Sequence, residues 1–150
     1  MKRIVLLPLA ALVLAGGAPA PKSEAGSTVT ITVTNLRNAK GLVQACMMTS
    51  AKSFPKCENV DKALTASVAA RKDTLSLTFK NVKPGQYAIA LLHDENANGK
   101  ADRVLGMMPK EGFGFSRDAP VRMGPPKFDE AMFDLGSEDH AMTIKMRYLL

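Results

Sequence analysis

The feature that most constrains this chain is a strict two-residue alternation. Thr28 to Leu36 reads TVTITVTNL, so Val29, Ile31 and Val33 alternate with Thr30, Thr32 and Thr34. In extended chain, successive side chains point to opposite faces, and this pattern makes one face apolar and the other polar. The same alternation recurs at Leu75, Leu77 and Phe79 against Ser76, Thr78 and Lys80. It recurs again at Met142, Ile144, Met146 and Tyr148 against Thr143, Lys145 and Arg147. Apolar residues at helical spacing are absent apart from Phe128 to Phe133 (FDEAMF), which fits one short helix. Half-buried strands need a second sheet to cover them, so the expected fold is an all-β antiparallel β-sandwich.

The remaining segments fit this scheme. Asn38 to Gly41 is a turn, and Leu42 to Thr49 is expected to be the hairpin partner of the first strand. Ala63 to Ala70 fits a weak strand or a helical turn. Lys83-Pro84-Gly85 turns into YAIALLH, residues 87–93, a run apolar on both faces that suggests a central strand. The Gly85-x-Tyr87 step fits the tyrosine corner of immunoglobulin-like sandwiches, or simply a core tyrosine. Asp94 to Asp129 is rich in Gly, Pro, Asn and charge. It is expected to be a long Gly/Pro-rich loop region with one or two short strands.

The first residues have the layout of a secretory signal peptide. Met1-Lys2-Arg3 is charged, Ile4 to Ala15 is apolar, and small residues follow. The apolar run is shorter than the roughly 20 residues of a spanning helix and is broken by Pro8. Ala18-Pro19-Ala20 has the form of a cleavage site but precedes Pro21; Ser23-Glu24-Ala25, followed by Gly26, is favoured. Residues 1–25 are therefore expected to be a signal peptide and 26–150 a single domain, periplasmic or secreted, with no transmembrane segment in the mature chain. The full chain carries 20 basic and 14 acidic residues. Removing Lys2, Arg3, Lys22 and Glu24 leaves 17 and 13, a net charge of +4. The basic residues are scattered and Trp is absent, so no nucleic-acid partner is expected.

An exported chain meets an oxidising compartment, where Cys46 and Cys57 are expected to form a disulfide worth about 2–3 kcal/mol. The alternatives are two buried thiols, or a zinc site with His93 and His140, which lacks the usual ligand spacing.

The sharpest chemical signal is His93-Asp94-Glu95-Asn96-Ala97-Asn98-Gly99-Lys100-Ala101-Asp102. Counted from Asp94, side-chain oxygens fall at positions 1, 3, 5 and 9, and Gly99 stands at position 6. That is the spacing of a calcium loop, with Asp94, Asn96, Asn98 and Asp102 as ligands and Lys100 offering its carbonyl. Position 12 is Leu105, so the closing glutamate is missing and any Ca2+ site would be weak. The alternative is a loop closed by its own Asx hydrogen bonds.

Other chemistry is thin. Leu105 to Ser116 interleaves glycine with Phe113 and Phe115; this tract either approaches a ligand or shapes a loop whose rings plug the core. A hydrolase could be composed from His93, Asp94 and Ser116, but nothing in the sequence fixes their geometry. Met pairs such as Met47-Met48 and Met107-Met108 could bind Cu(I), although Met at alternating strand positions usually fills a core.

The runs PGQYAIALLHDENANGKAD, LGMMPKEGFGFS and GPPKFDEAMFDL, the FPKC step at Phe54–Cys57 and the last TIKM strand carry a resemblance. In that order they resemble the exported bacterial family designated domain of unknown function 2141, over roughly Thr28 to Met146. The resemblance implies a small exported β-sandwich, prealbumin-like or immunoglobulin-like. It implies no established activity or ligand, so no catalytic residues carry over. Met107-Met108 departs from the β-branched residue more usual beside that proline. The resulting expectation is a non-enzymatic module acting in the envelope or outside the cell on a protein or glycan partner. The alternative is a small-ligand or carbohydrate carrier using the Gly/Phe tract, and a hydrolase using His93 and Asp94 is third.

Overall fold

A computed structural model describes residues 26–58 and 60–150; the expected signal peptide lies outside them. The first sheet is formed by β1 (Ser27–Leu36), β4 (Asp73–Val82) and β10 (His140–Lys145), in the order β10-β1-β4. The second holds β2 (Leu42–Met48), β3 (Leu64–Ala69), β5 (Gly85–Asp94) and β8 (Gly112–Phe115), in the order β3-β2-β5-β8. The short β9 (Phe133–Leu135) also pairs with β5. A separate hairpin joins β6 (Arg103–Val104) to β7 (Met108–Pro109). The fold is thus an all-β sandwich, antiparallel except where β10 runs parallel to β1.

The alternation predicts the core correctly. Val29, Ile31 and Val33 are fully buried, whereas the intervening threonines are half-buried. They pack with Leu75, Leu77, Phe79 and Ile144 of their own sheet, and with Val43, Ala45, Met47, Ile89 and Leu91 of the other. Tyr87 closes the base of this core, and its hydroxyl donates to the Lys83 carbonyl at 2.9 Å, forming the bond of a tyrosine corner.

Two local expectations are corrected. Leu42 to Met48 does not form a hairpin with β1; it lies between β3 and β5 in the opposite sheet. The reason is its two-faced burial. Val43, Ala45 and Met47 face the core, while Cys46 and Met48 are buried on the other side. The helix at Phe128 also ends early, at Ala131, and Phe133–Leu135 becomes strand β9.

The outer face of the second sheet carries a smaller cluster. Ala88 and Ala90 leave room there for the rings of Phe54, Phe113, Phe115 and Phe128. Phe54 meets Phe115 and Phe128 edge-on at 5.8 and 5.9 Å. The segment carrying Phe54 is tied a second time by the Cys46–Cys57 disulfide, whose Cα atoms are 6.1 Å apart.

Candidate functional site

At one end of the sandwich, β1 leaves through Arg37, β2 begins, β5 ends at Asp94 and β8 begins at Gly112. The segment between Asp94 and Gly112 is the longest without apolar periodicity, yet it contains two of the buried charged side chains. Asp94 is fully buried and Glu111 is 4 % exposed. A carboxylate in such a place needs donors.

The loop's own backbone supplies them. Asp94 Oδ1 accepts from the Asn98 amide at 3.1 Å. Its Oδ2 accepts from the Gly99 amide at 2.7 Å and from Gln44 Nε2 at 3.1 Å. Glu111 reaches across from the start of β8: Oε1 accepts from the Glu95 amide and Oε2 from the Asp102 amide, both at 3.1 Å. Asn96 and Asn98 each accept from an amide two residues on, in Asx turns, and donate their own amide groups to Asp102. Ala97 and Gly99 have positive φ, 55° and 75°, as the tight winding demands.

Charge around the loop follows from these contacts. Arg37 grips Glu95 with two nitrogens, each at 2.7 Å, and Asn38 adds a third donor at 2.6 Å. These bonds, Arg37 first, hold the Glu95 carboxyl down at about 2 and push the Arg37 guanidinium above its usual value. Hydrogen bonds from Asn98 and then Asn96 lower Asp102. Glu111 is pushed up, chiefly by burial and further by the negative charges of Asp94 and Asp102.

The residues expected to bind calcium therefore do come together, but their oxygens face amide hydrogens of the loop. Among the described residues, no three His, Cys, Asp or Glu side chains are placed to hold a metal ion. The hydrolase residues do not assemble. His93 is fully buried between Lys40 and Tyr148. The Lys40 carbonyl can only accept, so His93 Nε2 carries the proton at 2.9 Å, and Nδ1 accepts from the Tyr148 hydroxyl at 2.7 Å. Ser116 lies elsewhere, accepting from the Ile89 amide at 2.9 Å and donating to the Ala131 carbonyl at 2.5 Å. The cysteines are bonded to each other and His140 stacks on Phe133 at 5.1 Å, so the zinc set is not assembled either.

The Gly/Phe tract serves the fold. Any Cβ at Gly112 would strike the Tyr148 ring, and one at Gly114 would crowd Ile144 and Met146. Without side chains there, β8 approaches the end of β10 closely enough for Phe113 and Arg147 to exchange backbone hydrogen bonds, at 3.0 and 2.8 Å. Arg37, Glu111 and Tyr148 complete this end of the molecule, and sequence reading missed all three. The contacts Arg37–Glu95, His93–Tyr148 and Glu95–Glu111 span 58, 55 and 16 residues, so no local spacing reveals them.

Fold and site together define a small β-sandwich that carries a loop region stapled by its own carboxylates. Residues 31–143 match the model of the family described as an uncharacterised protein conserved in bacteria, domain of unknown function 2141, and the chain belongs to that family. No curated protein matches the chain. No solved structure matches it.

Proposed function

We propose that this protein is an exported, non-catalytic binding module in which the sandwich is the scaffold and the Asp94–Glu111 segment is the presenting loop. One observation carries the reading: Asp94 and Glu111 direct all four carboxylate oxygens at donors that fix the loop. Groups fixed in this way position a surface; they are not free to exchange protons with a substrate. Packing of Phe113 and Phe115 in the outer cluster weighs against the carrier alternative, because the rings of the Gly/Phe tract are taken up by that cluster.

Export is tested by mass measurement of the protein released by osmotic shock or found in the medium. A chain beginning at Gly26, with Cys46 and Cys57 joined, is the expected result. An intact chain retained in the cytoplasm with reduced cysteines would overturn the reading.

A second reading has its own support. Burial first, and then the charges of Asp94 and Asp102, raise the Glu111 carboxyl; three acidic groups share one loop, and a hard cation would relieve them. Calcium held by Asp94, Asn96, Asn98, the Lys100 carbonyl and Asp102 would use the second lone pair of each asparagine oxygen, the first being taken by the Asx-turn amide. A rise in melting temperature with millimolar Ca2+, lost in Asp102→Asn, would establish that reading. An unchanged melt favours the loop closed by Asx bonds.

A further inference from the structure

We propose that the β6–β7 hairpin is a membrane-contacting tip that places Leu105 and Met107 in the surface of an anionic lipid bilayer. The proposal rests on the reading of the protein as an exported binding module and names what its presenting loop meets.

Four exposed large apolar side chains follow one another closely along this hairpin, whereas Met123 is exposed singly and Leu149 and Leu150 are exposed as the last pair of the chain. Leu105 is 89 % exposed, Met107 77 %, Met108 45 % and Val104 41 %. Four such neighbours on one projecting turn form a contiguous patch with no role in the core. The turn makes the choice of residue more telling. Leu105 and Gly106 both have positive φ, 52° and 71°, in the three-residue loop between the paired Val104 and Met108, where Asn or Gly would be least strained. A leucine held in the left-handed region and pointed at water gains nothing for folding.

The tip is also prepared for a low-dielectric surface. Below its apex the hairpin pairs Arg103 with Pro109 and Val104 with Met108, and the turn is closed by Met107 N–H to the Val104 carbonyl at 3.2 Å. Shallow entry at headgroup depth, where the apex amides still meet water, leaves these pairs intact. Beneath the tip, the Lys110 amide donates to the Asp102 carbonyl at 2.9 Å and the Asp102 amide to Glu111, so the hairpin stands on the carboxylate-stapled loop.

Charge selects the occupant. Lys100, Arg103 and Lys110 are all exposed around the base of the hairpin. The carboxylates of this end are buried or engaged: Asp94 and Glu111 are buried on backbone amides, Glu95 is held by Arg37, and Asp102 by the amide groups of Asn96 and Asn98. An apolar apex ringed by cations matches a surface that is anionic at the headgroups and apolar beneath.

The test uses the form lacking residues 1–25, which retains all ten described strands and both apolar clusters, and so removes the apolar leader from the measurement. Its co-sedimentation is measured with vesicles of phosphatidylglycerol and phosphatidylethanolamine, and with vesicles of phosphatidylcholine alone. The expected result is binding to the anionic vesicles, weakened by salt, and reduced about tenfold or more by Leu105→Ser with Met107→Ser. Because the chain has no Trp, Leu105→Trp supplies a single reporter whose emission shifts to the blue on anionic vesicles. The variants are checked by thermal melting. Absent sedimentation, equal binding by the double serine variant, equal binding to phosphatidylcholine, or an unshifted Trp emission overturns the proposal. None of these outcomes bears on export, which the mass of the released chain decides separately.

Discussion

The sandwich body and the Asp94–Glu111 loop are both ordered, but by opposite means. In the body, residues such as Ile31, Leu77 and Ile89 are removed from water between two sheets, and the backbone bonds follow from strand pairing. In the loop, Asp94 and Glu111 collect backbone amides, while Leu105 and Met107 remain outside. A segment with no apolar period can thus be held firmly where buried carboxylates have enough donors. Its weakness is that each donor depends on one acceptor, whereas a core side chain has many neighbours.

Perturbing each region separately sharpens this contrast. The largest effect is expected from Ile89→Ala, which opens a cavity between the sheets and costs about 2–5 kcal/mol, read as a drop in the global melt. Replacing Cys46 and Cys57 by Ser follows at about 2–3 kcal/mol, with the Phe54 segment exchanging its amides faster. Asp94→Ala leaves the Gly99 amide without an acceptor and the Asn98 amide with the Asn96 side chain alone, and costs about 1–3 kcal/mol. Its signature is local: hydrogen exchange accelerates across residues 95–111 while the Ile31 and Ile89 amides keep their protection.

Acid should loosen the same loop. Glu95 titrates at about 2 in the fold against an ordinary 4.5, so its contribution is complete above the ordinary value and is lost as pH falls towards about 2. Arg37→Ala is expected to flatten that acid limb in a stability–pH profile. Glu111 acts in the reverse sense: its raised carboxyl favours folding at low pH, and that contribution fades as pH rises through its folded value. The smallest effect is expected from Leu105→Ser, which leaves stability within about 0.5 kcal/mol because the side chain supports nothing beneath it.

The body was legible in the sequence because its information is local. Alternation at Val29–Val33 and Leu75–Phe79 marks inward faces, and Gly85-x-Tyr87 marks the corner. Partner choice was less legible: Leu42 to Met48 is apolar on both faces, which marks a central strand but not the sheet it joins. At the loop, the Asp94–Asp102 spacing located the winding, since Asx turns are made between residues two apart. It could not distinguish oxygens aimed at amides from oxygens aimed at a cation. Glu111, which closes the loop from β8, and Arg37, which grips Glu95 from the end of β1, are brought in by tertiary structure alone.

The most direct measurement is hydrogen exchange at the Asn98 and Gly99 amides in excess chelator, for the unaltered protein and for Asp94→Ala. Both amides are expected to be protected without metal in the unaltered protein; in the variant Gly99 becomes unprotected and Asn98, which keeps the Asn96 oxygen, is less protected, with Ile89 unchanged. Amides that exchange freely in chelator and gain protection only when calcium is added would contradict a loop held by its own carboxylates.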